Sequence, residues 1–342
     1  DAGLLLTAGD KNTILGSYAL DAADAGESNN VAIGYGAMSL VDEGAGGGSN
    51  DADGNIAIGA YALLGGAFGS GDKTLIGNIA IGYQALDATA ANAQTGTVAI
   101  GHTAQTSLTS GAGNTAIGYQ ALYTNVDGGY NTAVGYQALN VFEADALNHG
   151  ANVAVGYRSG KFISTGTGNT YLGHNSGLGI TGTPLTGNDN TAIGQGAGLE
   201  LEGAAHSNTF LGAAAGNTTE AGIENTIVGY NCEAYDDTAD NQIVIGNNLT
   251  GTDLSNSVYI GNDTNHIQND FNADATWSYS SDVRQKKDIE SSELGLGFIN
   301  DLNPVKYRHK SPSEFPKEWT AYNSEDTTPM GGSDKYYYGF IA

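Results

Sequence analysis

The sequence predicts a mainly β protein: a repetitive parallel β-roll or β-solenoid fibre, expected to be trimeric, followed by a small α+β domain of which the chain holds a part. Three observations carry this. A short pattern of the form "AIG" recurs through residues 12–264; glycine is abundant and proline scarce, 52 against 5; and the composition changes abruptly after Gly261. Self-similarity at a short period is the signature of stacked units, each burying its apolar face only against its neighbours. No strict Gly-X-Y period exists, so the glycines do not mark a collagen. The chain accordingly divides into a repeat shaft at 1–264, a linker at 265–280 and a C-terminal domain at 281–342.

The repeat is clearest where "NTAIGYQAL" at 114–122 is followed by "NTAVGYQAL" at 131–139, one 17-residue step later. Alignment on the glycine gives fourteen copies, at Gly16, Gly34, Gly59, Gly82, Gly101, Gly118, Gly135, Gly156, Gly173, Gly194, Gly212, Gly229, Gly246 and Gly261. The residue before the glycine is Ile, Val or Leu, and the residue three before it is Thr, Val or Ile. By the two-residue period of a strand these share one face, and they are expected to fill the coil. The residue between them is mostly Ala, becoming Tyr171, Phe210, Ile227, Val244 and Tyr259 late in the array. It is expected to face outward and to pack against other copies of the chain.

Further columns follow. Asn stands four before the glycine in eleven copies; Asn bonds readily to nearby main chain, so a stacked polar ladder is expected, with receptor contact as the alternative. Three after the glycine a small residue recurs in the first twelve copies, Cys232 among them; this predicts a buried, inert thiol. Tyr follows the glycine at Tyr35, Tyr83, Tyr119, Tyr136, Tyr157 and Tyr230, either as packing or as a sugar-binding surface.

Charge narrows the function classes. There are 37 acidic and 12 basic residues, a formal charge of −25, so no nucleic-acid partner is expected, because phosphate binding needs a basic stripe. No long apolar run is present, so no membrane insertion is expected, and the opening residues lack the basic start of a signal peptide. One cysteine excludes an internal disulfide framework.

The columns resemble the "NxxAIG" head repeats of trimeric autotransporter adhesins, which coil into a left-handed parallel β-roll, and the repeat tracts of phage tail fibres. The unit here is longer and less regular, which leaves the number of strands per turn open. Insertions fall mainly at 40–54, 64–76 and 140–151, the edges where partner contact is expected. "DADGN" at 51–55 places Asp51 and Asp53 at the spacing of a partial calcium loop, without the closing Glu. Calcium is the one candidate ligand and no cofactor is expected. Asp236, Asp237 and Asp240 form a similar acidic turn; a solvated turn is the competing reading of both.

Beyond residue 280 Lys and Arg gather, and Leu294, Phe298 and Leu302 ahead of Pro304 predict a short amphipathic helix. "SDVRQKKDI" at 281–289, "LGLGFINDLNPVKY" at 294–307 and "YYYGFIA" at the end of the chain resemble the endosialidase-type intramolecular chaperone domain of phage tailspikes and tail fibres. That resemblance implies trimerisation, templating of the preceding fibre and single-turnover self-cleavage by a Ser-Lys dyad. Carried over by motif position, Ser281 is the nucleophile and Lys286 its base, with Asp282 and Arg284 supporting. An ordinary linker role for these residues is the alternative.

The expected function is therefore a structural and receptor-binding tail-fibre protein of a virion or extracellular surface, homotrimeric and meeting a host-surface glycan or protein. A bacterial trimeric adhesin or filament subunit is the alternative. A polysaccharide-degrading tailspike needs paired carboxylates, and no repeated pair is present.

Overall fold

In the computed structural model the described residues are 1–3, 9–23, 26–42, 51–66, 74–89, 94–144, 146–147, 149–252, 255–271, 278–279, 305–307, 309–317, 323–327 and 337–339. The chain separates into two compact units, Asp1–Ser280 and Ser281–Ala342.

The first unit is a parallel β-solenoid of about thirteen turns. Each repeat contributes one short strand, beginning with Thr13–Leu15, Val31–Ile33 and Ile56–Ile58, and continuing through Thr115–Ile117 and Thr132–Val134 to Gln242–Asn247 and Ser257–Asn262. Fourteen successive strands pair in parallel and in register, so that Ala99, Ala116 and Ala133 lie side by side. This settles the strand count: one strand of regular length per turn. Fragments of a second ladder form where the insertions lie, as between Leu75–Ile76 and Gln94–Thr95.

Up to Thr209–Leu211 the strands are three residues long because glycine ends them, whereas the last three parallel strands run on through Gly229, Gly246 and Gly261. Gly118 has φ of +138° and Gly135 +136°, a region that side chains do not enter. A Cβ on Gly16 would stand 2.5 Å from the carbonyl oxygen of Gly34, and the same clash recurs along the column. The chain then turns through left-handed residues two and four places on, such as Gln120 at +53° and Leu122 at +50°. Main-chain bonds run from coil to coil, with Val98 N–H donating to Asn114 O at 2.8 Å and Gly118 N–H to Ile100 O at 2.7 Å.

The expected direction of the strand faces is reversed. Ala116, Ala133 and their equivalents are fully buried, while Thr115 and Thr132 are half-buried and Ile117 is exposed. The core is assembled from the middle strand residue, the small residue three after the glycine and, in many coils, a Leu four after it, as with Ala116, Ala121 and Leu122. Where the middle strand residue is Ala, as at Ala116, the space behind it is taken by a residue of the opposite wall such as Leu122, and the branched residues stand outside. Alternation defines two faces without saying which is inside.

The Asn column forms the expected ladder inside the coil. Asn131 N–H donates to Asn114 Oδ1 at 2.9 Å, and Asn152 N–H to Asn131 Oδ1 at 3.0 Å. Each Nδ2 also reaches a main-chain carbonyl, as from Asn114 to Gly128 O at 2.8 Å. Buried polar groups are satisfied this way without water. Asn265–Asp270, within the stretch expected to be a linker, is instead a strand antiparallel to Ser257–Asn262, and it covers the edge that the last parallel strand would leave open.

In the second unit Val305–Tyr307 pairs antiparallel with Tyr337–Gly339. Further along the chain Pro312–Glu314 forms a short 3-10 turn whose Glu314 carboxylate accepts the Ser311 N–H and hydroxyl, both at 2.9 Å. The helix expected from Leu294, Phe298 and Leu302 lies outside the described residues.

Candidate functional site

Two surfaces of the solenoid stand out. The first is the outward face of the sheet, made by the residues one and three before each glycine. All twenty-eight are Thr, Val, Ile or Leu, and none is charged. Leu15, Ile117, Leu172, Leu211, Ile245 and Ile260 are among its exposed members, Leu15 at 66% and Leu172 at 46%. The column one before the glycine is Ile, Val or Leu throughout, beside a column of Thr, Val and Ile, and a surface in water rarely carries an apolar column of this extent without a partner.

The second is a row of aromatic rings beside that face. Tyr18, Tyr35, Tyr61, Tyr83, His102, Tyr119, Tyr136, Tyr157 and His174 follow one another with centroids 5.1 to 6.4 Å apart. Where successive rings occupy the same column, one after the glycine, they tilt by 30° and 24° at His102 and lie nearly flat on each other from Tyr119 to His174; Tyr119 and Tyr136 meet at 9°. Where the column alternates, as with Tyr18 and Tyr61 two after the glycine and Tyr35 one after, the rings stand at 83°. Arg158 lies over the Tyr157 ring at 5.0 Å. The Tyr column read from the sequence thus forms a ladder, but that reading missed Tyr18 and Tyr61, displaced by one position, and His102 and His174, which replace Tyr in the column. Tyr230 is not part of it, since its column neighbours Ala213 and Asn247 carry no ring.

The remaining candidates fall as follows. Asp53 Oδ1 accepts the Ser28 N–H of the preceding coil at 2.6 Å. Burial, and then the nearby Asp53 charge, push the Asp51 carboxyl up. In the second acidic turn Asp236 accepts Thr238 N–H at 3.0 Å and Asp240 accepts Ile223 N–H at 2.9 Å. Three of these carboxylates, those of Asp53, Asp236 and Asp240, therefore cap main chain, and among the described residues no three His, Cys, Asp or Glu side chains converge as a metal-ligand set. Cys232 is buried as expected, and burial pushes its thiol up. Ser281, Asp282, Arg284 and Lys286 lie outside the described residues, as do 43–50, 67–73, 145 and 148 within the insertions.

No helix among the described residues is long and apolar enough to cross a membrane. No protein-family model matches the chain, and no curated protein does.

Proposed function

We propose that the chain is the repeat shaft of a homotrimeric extracellular fibre of the phage tail-fibre kind, which presents its edge loops to a host-surface glycan or protein. The observation that carries this is the uncharged aliphatic face along the sheet. Three such faces turned inward would bury one another along the whole array, whereas in a monomer they meet water at about 25 cal/mol for every Å². A closed trimer also removes the tendency of a flat apolar face to recruit further copies without limit. Fourteen near-identical coils can pair out of step, and a trimerising C-terminal domain of the kind that 281–342 resembles would fix the register before the coils zip. In that domain Ser281 would attack with Lys286 as base, cutting the chain once.

Sedimentation equilibrium at micromolar concentration tests the assembly: a species of three times the chain mass is expected, and a monomer would overturn the reading. The cleavage is tested on a denaturing gel of the full-length gene product beside Ser281→Ala. A shorter band in the wild type and none in the variant is expected, and the same pattern in both would remove the dyad.

A further inference from the structure

The aromatic row changes character at its N-terminal end. Tyr18, Tyr35 and Tyr61 surround an open hollow of about 270 Å³, completed by Asp21, Gly36, Ser39 and Leu40. The two ring pairs stand at 83° with centroids 5.6 and 5.3 Å apart. In such an edge-to-face pair the edge-on ring has neither face covered by its partner, unlike the rings of the flat stack from Tyr119 to His174. Gly36 makes the hollow: a Cβ there would meet the Tyr61 ring at 3.1 Å. Other coils carry Gln84, Gln120 and Gln137 at the equivalent left-handed position, so the backbone does not itself demand glycine.

The hollow is also electrostatically one-sided. Asp21 Oδ1 is shut off from solvent without a hydrogen-bond partner. Among the described residues before Arg158 the one Lys or Arg is Lys11, which sits 3.7 Å from Asp10. Free aromatic faces set at right angles attract a cation through their quadrupoles, and weakly hydrated alkylammonium groups suit them best. A carboxylate beside them adds attraction that a neutral ligand does not feel. A sugar, by contrast, prefers a flat ring platform with several polar partners.

We propose that Tyr18, Tyr35, Tyr61 and Asp21 form a binding site for an alkylated ammonium group, such as the trimethylammonium of choline. The site goes beyond the fibre reading and does not depend on it, since all its residues come from three successive coils of one chain.

Isothermal titration calorimetry with choline chloride at constant ionic strength tests it, with sedimentation of the same samples reporting assembly separately. Saturable binding is expected for the wild type. The neutral carbon isostere, with tert-butyl in place of trimethylammonium, is expected to bind at least about tenfold more weakly, a difference of ~1.4 kcal/mol. Gly36→Gln, which fills the hollow with the side chain other coils carry, and Asp21→Asn are each expected to lose at least about tenfold, while Tyr136→Leu in the flat stack leaves binding unchanged. Circular dichroism melting checks that each variant is folded. No saturable heat with choline, equal binding of the isostere, unchanged binding by folded Gly36→Gln, or saturation by methyl glycosides instead of choline would each overturn the assignment.

Discussion

At the level of single residues, the coil interior conserves volume by exchange. In four coils a middle-strand Ala is matched by a Leu four after the glycine, as Ala116 is by Leu122. Where the strand residue becomes Tyr171 or Phe210, the Leu gives way to Gly160, Gly177, Gly198 and Gly216, and a Cβ on any of these would run into the ring. Gly177→Leu is therefore expected to destabilise by about 3 kcal/mol through overpacking, although Leu139 adopts the same backbone at φ +47°. Adding Tyr171→Ala should recover at least about 1 kcal/mol, read as the coupling term of a denaturant-unfolding double-mutant cycle. Glu233 gives a second test. Burial pushes its carboxyl up to about 6, against the bonds it accepts from Thr218 and Asn217 N–H. The folded chain thus holds this proton to higher pH than the unfolded chain, whose ordinary value is 4.5. The stability Glu233 contributes is complete below the unfolded value and is lost as pH rises towards 6. Measured as unfolding free energy, Glu233→Gln should gain about 1–2 kcal/mol on the wild type between pH 4 and pH 7, after discounting for partial exposure.

At the level of the element, the Asn ladder is one continuous device with a single interruption. It runs from Asn12 to Asn78, whose Oδ1 accepts Thr97 N–H at 3.0 Å, and resumes from Asn114 to Gln242. Thr97 is too short to pass the bond on, and its hydroxyl is buried without a partner. The same coil holds the unpartnered amides of Gln94 and Gln105, which makes it the weakest polar stretch of the described interior. Thr97→Asn is expected to stabilise by about 1 kcal/mol, whereas Asn131→Ala should cost about 2–3 kcal/mol because Asn152 N–H loses its acceptor inside the coil. Thermal melting of the two variants beside the wild type reads both signs. The ladder was legible from its spacing alone, because an amide repeated four before the turn glycine in successive copies has the same neighbour above and below. The interruption was legible as well, but its consequence depends on burial.

At the level of the whole molecule, charge and apolar surface are segregated. Twenty-seven carboxylates and four basic residues precede residue 281, and none of them occupies the outward strand positions. Acidic side chains of neighbouring coils lie close enough to act on one another, as at Glu220, whose carboxyl is raised by burial and then by Asp237, Glu202 and Glu200. Among the described residues the outward strand positions form a continuous strip without charge. Placing Lys at Ile117 and Leu172 together should convert the expected trimer to monomer in sedimentation while leaving the far-ultraviolet spectrum unchanged, because both side chains already stand outside the coil.

The sequence by itself determined the repeat, its register, the turn glycines, the Asn ladder and the small column that holds Cys232, because each rests on a local conformational demand met again at every turn. It also contained the exchange of Leu for Gly opposite Tyr171 and Phe210, the signal that could have identified the inward face. Only the tertiary structure decided that "NTAIGYQAL" turns Ala116 inward and Thr115 and Ile117 outward. It alone brought Tyr18, Tyr35, Tyr61 and Asp21 around one hollow. The reason is physical: a period of two separates the faces of a strand, but which face is buried depends on the width of the coil, and that width is set by residues on the opposite wall.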